Sequence, residues 1–140
     1  MTTAFARGAV VRRTTVLMLV TDIGFILYWL VVASKILPAN IMFNGYDDSA
    51  VAAWNWSFLP LDLCASIVGL TAVRSLRSRR ANALPLLIVS LTLTSAAGGM
   101  ALVFWTVRGD FEFAWWIPSA FLLLFPLPLL TRSRQMPCAN

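Results

Sequence analysis

Four apolar runs, each long enough to cross a bilayer, leave this chain little choice of fold. A spanning helix needs about 20 predominantly apolar residues. Runs of that length fall at about 14–37, 50–73, 84–107 and 113–131. The expected fold is therefore all-α, an integral membrane four-helix bundle that forms a single transmembrane domain over 1–140. The first run, "TTVLMLVTDIGFILYWLVVASKIL", is stopped by Pro38, Asp48 and Ser49 are N-cap candidates for the second, and "FAWWIP" opens the fourth. The links, about 12, 10 and 5 residues, suit antiparallel neighbours. The first run is too long for a cleaved signal peptide, and no small-residue cleavage site follows it. Composition agrees: 59% of the 140 residues are hydrophobic and 12% charged, well outside the range of soluble domains.

The charges predict an orientation. Arg7, Arg12 and Arg13 precede the first run, Arg74, Arg77, Arg79 and Arg80 separate the second from the third, and Arg132 and Arg134 follow the fourth. Only Lys35 and Arg108 fall on the other side. The positive-inside rule then places the N and C termini in the cytoplasm, in a multi-pass protein of a plasma membrane. Asp47, Asp48, Asp110 and Glu112 lie in or beside the opposite loops. The net charge of +5 is spread as membrane flanks and not as a nucleic-acid surface. There is no histidine, and Cys64 (mid-span) and Cys138 (polar tail) sit in different settings, so neither a disulfide nor a metal site is expected.

Two acids remain, Asp22 and Asp62. Counted from the ends of their runs, Asp22 is roughly 12 Å and Asp62 roughly 18 Å into a hydrocarbon layer about 30 Å thick. Both are thus expected near mid-membrane, with no basic residue at matching depth and facing one another. A charged carboxylate in low dielectric is costly, so such a group keeps its proton and becomes a proton donor.

Helical phase supplies the surroundings. Asp22 shares a face with Phe25, Ile26 and Trp29; Asp62 shares one with Asn55, Phe58, Ser66 and Gly69, flanked by Trp54. Pro60 is placed to bend the second span just before Asp62. Thr94, Gly98, Ala101 and Trp105 align in the third span, and Trp115 and Ser119 in the fourth, with Trp116 beside them. Plainer readings compete. Tryptophans near span ends serve as interfacial anchors, Gly98 and Gly99 serve helix packing, and buried acids hydrogen-bond across helices.

A protonated acid among aromatic faces suits alkene protonation: rings stabilise a carbocation without capturing its proton, and a dry site prevents its quenching. The expected activity is a membrane-embedded terpene cyclase, an isomerase-type enzyme acting on a hydrophobic prenylated small molecule by acid-initiated (class II-type) cyclisation. Asp62 and Asp22 are the candidate catalytic pair. Phe25, Trp29, Trp54, Asn55, Phe58, Ser66, Thr94, Trp105, Trp115 and Trp116 are the candidate substrate-binding residues, with no cofactor or metal called for. The rivals are a small proton-linked carrier or channel subunit, for which four spans imply a homo-oligomer, and a non-catalytic membrane partner protein.

The segments "TDIGFILYWL", "AWNWSFLPLDL", "LTLTSAAGG", "RGDFEFAWWIP" and "FLLLFPL" together resemble the YvaD-like family of small four-span bacterial membrane proteins, over nearly the whole chain beyond the first dozen residues. In size, span count and buried acids the chain also resembles the small actinobacterial membrane terpene cyclases of drimentine- and xiamycin-type pathways. That resemblance implies cyclisation of a farnesyl chain on an indole, started at the terminal alkene. The larger cyclases of fungal meroterpenoid pathways carry spans absent here, so no residue is transferred from them.

Overall fold

The computed structural model describes residues 2–38 and 45–133, with backbone alone for 2–11, 14 and 132–133. Arg134 and Cys138 lie outside the described residues, and the side chains of Arg7 and Arg132 are likewise not described. Six helices are present among the described residues: α1 (Thr2–Ser34), α2 (Ser49–Ser57), α3 (Leu59–Arg77), α4 (Ala83–Arg108), α5 (Phe113–Leu124) and α6 (Leu127–Ser133). They make four candidate spans, Thr15–Ser34, Ser49–Arg77, Ala83–Arg108 and Phe113–Thr131. Most of each span's surface lies outside the core, and large apolar side chains such as Val20, Leu30, Ile67, Val103 and Ile117 point outward. Such a surface fits hydrocarbon and not water. The chain is an all-helical, four-span membrane protein.

The helix ends follow from local chemistry. α1 stops at Ser34, three residues short of the expected end, because Lys35 turns into the left-handed region at φ 52°. At the start of α2, Asp48 is the N-cap, its carboxylate accepting from the Ala50 N–H at 2.9 Å. α4 closes on Gly109 at φ 70°, where the Asp110 N–H donates back to the Trp105 carbonyl at 3.0 Å. α3 closes in the same way, with Arg79 at φ 52° and the Arg80 N–H donating to the Ser75 carbonyl at 3.0 Å.

Two spans are broken, and in each a proline is the cause. Pro60 has no N–H to continue the ladder, so the chain tightens at Phe58, whose N–H donates to the Asn55 carbonyl at 3.1 Å. Pro60 then occupies the first turn of α3, where its missing donor costs nothing. The fourth span breaks between Leu124 and Leu127, at the fully buried Pro126.

α1 packs on α3, α3 on α4, and α4 on α5. The core has two apolar clusters. One gathers Met18, Ala72 and Leu91 against Phe125, Leu129 and Leu130 toward the end of the bundle where α3 closes and α4 begins. The other gathers Trp29, Val32, Phe58 and Ala97 toward the opposite end. Between them lies a layer of small polar side chains: Thr21, Ser66, Ser90, Thr94 and Ser95, with Asp22. The last four of these hydroxyls are satisfied by backbone carbonyls, within a helix for Ser66 and Thr94 and across helices for Ser90 (to Ala65, 3.0 Å) and Ser95 (to Leu123, 3.0 Å). Gly98 lets α5 approach α4 closely: a Cβ there would lie 2.5 Å from the Leu123 nitrogen and from the Ser119 carbonyl oxygen.

Candidate functional site

The break at Phe58 lies in the wall of the candidate site. Around it Val51, Trp54, Asn55 and Phe58 line one wall of a cavity, and Asp62, one turn into α3, lines it as well. α1 adds Phe25, Tyr28 and Trp29; α4 adds Ala97, Ala101 and Trp105; α5 adds Trp115, Pro118, Ser119 and Leu122. The cavity holds about 260 Å³. That is just under the roughly 300–1,000 Å³ usual for small-molecule sites, and it suits one segment of a flexible lipid better than a whole one.

Its walls are largely aromatic. Trp54 is the hub: it stacks on Phe104 at 3.7 Å and 9°, and meets Phe58 (4.7 Å) and Trp105 (5.6 Å) edge to face. Trp105 continues the wall to Trp115 at 6.5 Å. Behind the hub the Arg108 guanidinium lies 5.7 Å from the Phe104 ring and pairs with Asp48 at 3.1 Å. The Ala50 N–H, and after it Arg108, hold the Asp48 carboxyl below the usual aspartate range.

Asp62 is 6% exposed. Its Oδ2 accepts from the indole Nε1–H of Trp29 at 2.9 Å, and its Oδ1 is buried with no hydrogen-bond partner. Trp29 thus presents an N–H to the acid and not only a ring to a ligand. Farther along the wall the Tyr28 hydroxyl donates to Asn55 Oδ1 at 3.0 Å, while Asn55 Nδ2 is buried and unpartnered. Tyr28 stands edge-on to Trp29 at 5.1 Å.

The structure separates the two acids. Asp22, 1% exposed, does not line the cavity. Its carboxyl fills the notch left by the absent side chain of Gly69, where an added Cβ would collide with it and would lie 2.7 Å from Ser90 Oγ. Gly69 is seven residues beyond Asp62 on the same helix, about 10 Å along the axis. The expected face-to-face pair is therefore not formed. Counting depth from the ends of each run assumed that the helices start in a common plane. The Ser49–Arg77 span is 29 residues, about 43 Å, and packing against α1 sets its level instead.

Of the other expected binding residues, Phe25, Trp29, Trp54, Asn55, Phe58, Trp105 and Trp115 line the cavity. Three do not. Ser66 donates to the Asp62 carbonyl at 2.8 Å and Thr94 to the Ser90 carbonyl at 3.0 Å, each buried against its own helix. Trp116 bonds the Asp110 carbonyl at 2.9 Å and stacks on Phe111, fastening the loop that enters α5. Tyr28 was missed by the sequence reading, although its position three residues after Phe25 puts it on that residue's face. Among the described residues no three His, Cys, Asp or Glu side chains gather as a metal site would require.

Comparison with known proteins places these features in a family. No solved structure matches the chain. The Uncharacterized protein YvaD of Bacillus subtilis (strain 168) is 44% identical over 109 residues, covering 78% of this chain and 82% of the relative. Residues 14–136, which include every cavity residue, match the model for a family of unknown function, DUF5360. The chain belongs to that family.

Proposed function

We propose that the protein is a membrane-embedded terpene cyclase that folds an isoprenoid chain into its aromatic cavity and starts ring closure by protonating an alkene from Asp62. The observation that carries this reading is a single carboxyl with an unpartnered oxygen in an aromatic-walled cavity. The separation of the acids changes the mechanism from a pair to one residue, with Asp22 outside the chemistry. The Asp62 proton forms the new C–H bond with the alkene π electrons, leaving a carboxylate and a carbocation. The next alkene attacks the cation, and Trp54, Phe58, Trp105 and Trp115 stabilise the migrating charge with their ring faces. Loss of a proton from the final cation back to Asp62 restores the acid, so the change is an isomerisation with no co-reactant. Trp29 holds the carboxyl by Oδ2, leaving Oδ1 to carry the transferred proton. The arginine asymmetry supports a bacterial plasma-membrane location with cytoplasmic termini.

One arrangement favours a second reading, a proton-linked carrier: the two buried acids lie at successive levels of the same α1–α3 seam. One experiment separates the two. Purified protein in magnesium-free bicelles is given a panel of prenylated indoles and other prenyl lipids, and products are analysed by mass spectrometry. Cyclisation is expected in the wild type and in Asp22→Asn, and none in Asp62→Asn. Trp29→Phe, which removes one hydrogen bond to the acid, is expected to slow turnover about tenfold. Proton flux in liposomes that disappears in both Asp variants, with no lipid altered, would establish the carrier and end the cyclase proposal.

A further inference from the structure

We infer that the ligand of this cavity carries an oxygen acceptor, such as an ether, hydroxyl or carbonyl, at the end of its prenyl chain remote from Asp62, and that Asn55 recognises it. The inference rests on the isoprenoid reading of the cavity and names the head group that reading leaves open. A primary amide offers two N–H donors and one carbonyl acceptor. In Asn55 the carbonyl is engaged by the Tyr28 hydroxyl, while the NH2 group is buried, closed to water and unpartnered. A buried donor without an acceptor is costly, and a ligand atom that accepts its hydrogen bond recovers that cost. Asn55 lines the cavity, and a small turn about its terminal torsion, which is broad for an amide, aims Nδ2 at an occupant while Oδ1 stays within reach of the Tyr28 hydroxyl.

The surroundings fix the sense of recognition. Tyr28 braces the amide and packs edge-on against Trp29, the residue that holds Asp62. Amide and acid are thus held by consecutive residues of α1 and stand seven residues, roughly 10 Å, apart along the Ser49–Arg77 span. A ligand spanning them presents its reactive alkene to Asp62 and its oxygen to Asn55. A donor-only head, such as the N–H of an indole, would face the amide N–H as donor against donor.

Binding is read by tryptophan emission of the purified protein in bicelles, corrected for partition of each probe into lipid. Three probes share a farnesyl chain: farnesyl methyl ether (acceptor only), β-farnesene (neither) and 3-farnesylindole (donor only). The ether is expected to bind about tenfold more tightly than the other two, the worth of one neutral hydrogen bond. Asn55→Leu, of similar volume, is expected to erase the preference while keeping hydrocarbon binding. Tyr28→Phe leaves the amide in place but unbraced, and is expected to narrow the preference. Asp62→Asn is expected to keep it. Equal affinity of the wild type for ether and hydrocarbon, a preference that survives Asn55→Leu, or no binding of any probe overturns the inference. Product analysis on the same probes keeps the two proposals apart. Cyclisation without a head-group preference sinks this inference and leaves the enzyme standing. A preference without any product does the reverse.

Discussion

At the scale of single residues, Gly69 and Asp22 show how a buried acid is seated between two helices. The missing Cβ of Gly69 makes room for a carboxyl that would otherwise hold α1 away from α3. Gly69→Ala must push that carboxyl aside or part the helices, and overpacking of this kind costs about 1–3 kcal/mol. Thermal melting in detergent is expected to show that loss, with recovery in the double variant Gly69→Ala/Asp22→Ala. The coupling between the two sites should be about 0.5–3 kcal/mol. Strictly additive effects would mean that Asp22 does not occupy the notch. The contrast with Asp62 was not legible in the sequence: both are acids in apolar runs, and only their partners across the α1–α3 seam tell them apart.

At the scale of elements, the break between α2 and α3 falls among the residues that line the cavity. The proline and its approximate effect were legible, because a missing N–H interrupts a helical ladder in any context. What was not legible is that the interruption falls at Phe58, with Asn55 and Trp54 above it and Asp62 below. Pro60→Ala restores the donor and permits one continuous helix over 49–77. Its melting temperature is expected to equal or exceed that of the wild type. The proposed cyclisation is expected to fall by at least about tenfold, because a misplaced wall loses the productive geometry. Unchanged turnover with a more stable protein would show that the break does not shape the cavity. A similar argument applies where α4 meets α5: Gly98→Ala brings a methyl against backbone atoms of Leu123 and Ser119, which cannot swing away as a side chain does. It should lower the melting temperature, with the α4–α5 contact loosening first in hydrogen exchange.

At the scale of the whole molecule, the Asp48–Arg108 pair fastens the start of one span to the end of another, behind the Phe104–Trp54 stack. The Asp48 carboxyl is held below its ordinary range by the Ala50 N–H and by Arg108. A depressed folded value means that the stabilisation is present above the unfolded value, about 3.9, and is lost as pH falls through the folded one. Asp48→Asn keeps a capping side chain but removes the charge. It is expected to melt below the wild type at pH 6–8, and the two curves should converge only as the pH falls below about 3.9 and through the folded value. Added salt should shrink the difference, since the pair is half-exposed. A gap independent of pH would assign the stabilisation to something other than the carboxylate.

The sequence by itself determined the four spans, their helicity and the aromatic character of the site, because hydropathy, capping and proline chemistry act over a few residues. Helical phase even brought Phe25, Trp29, Trp54, Asn55, Phe58, Trp105 and Trp115 into consideration, all of which line the cavity. Only the tertiary structure decided how far each helix slides along its neighbour. That axial level depends on which side chains interlock: Asp22 against Gly69, and the Trp29 indole on Asp62. A slide of two turns leaves every local preference satisfied, yet it separates a pair of acids into one that packs the seam and one that reaches the cavity.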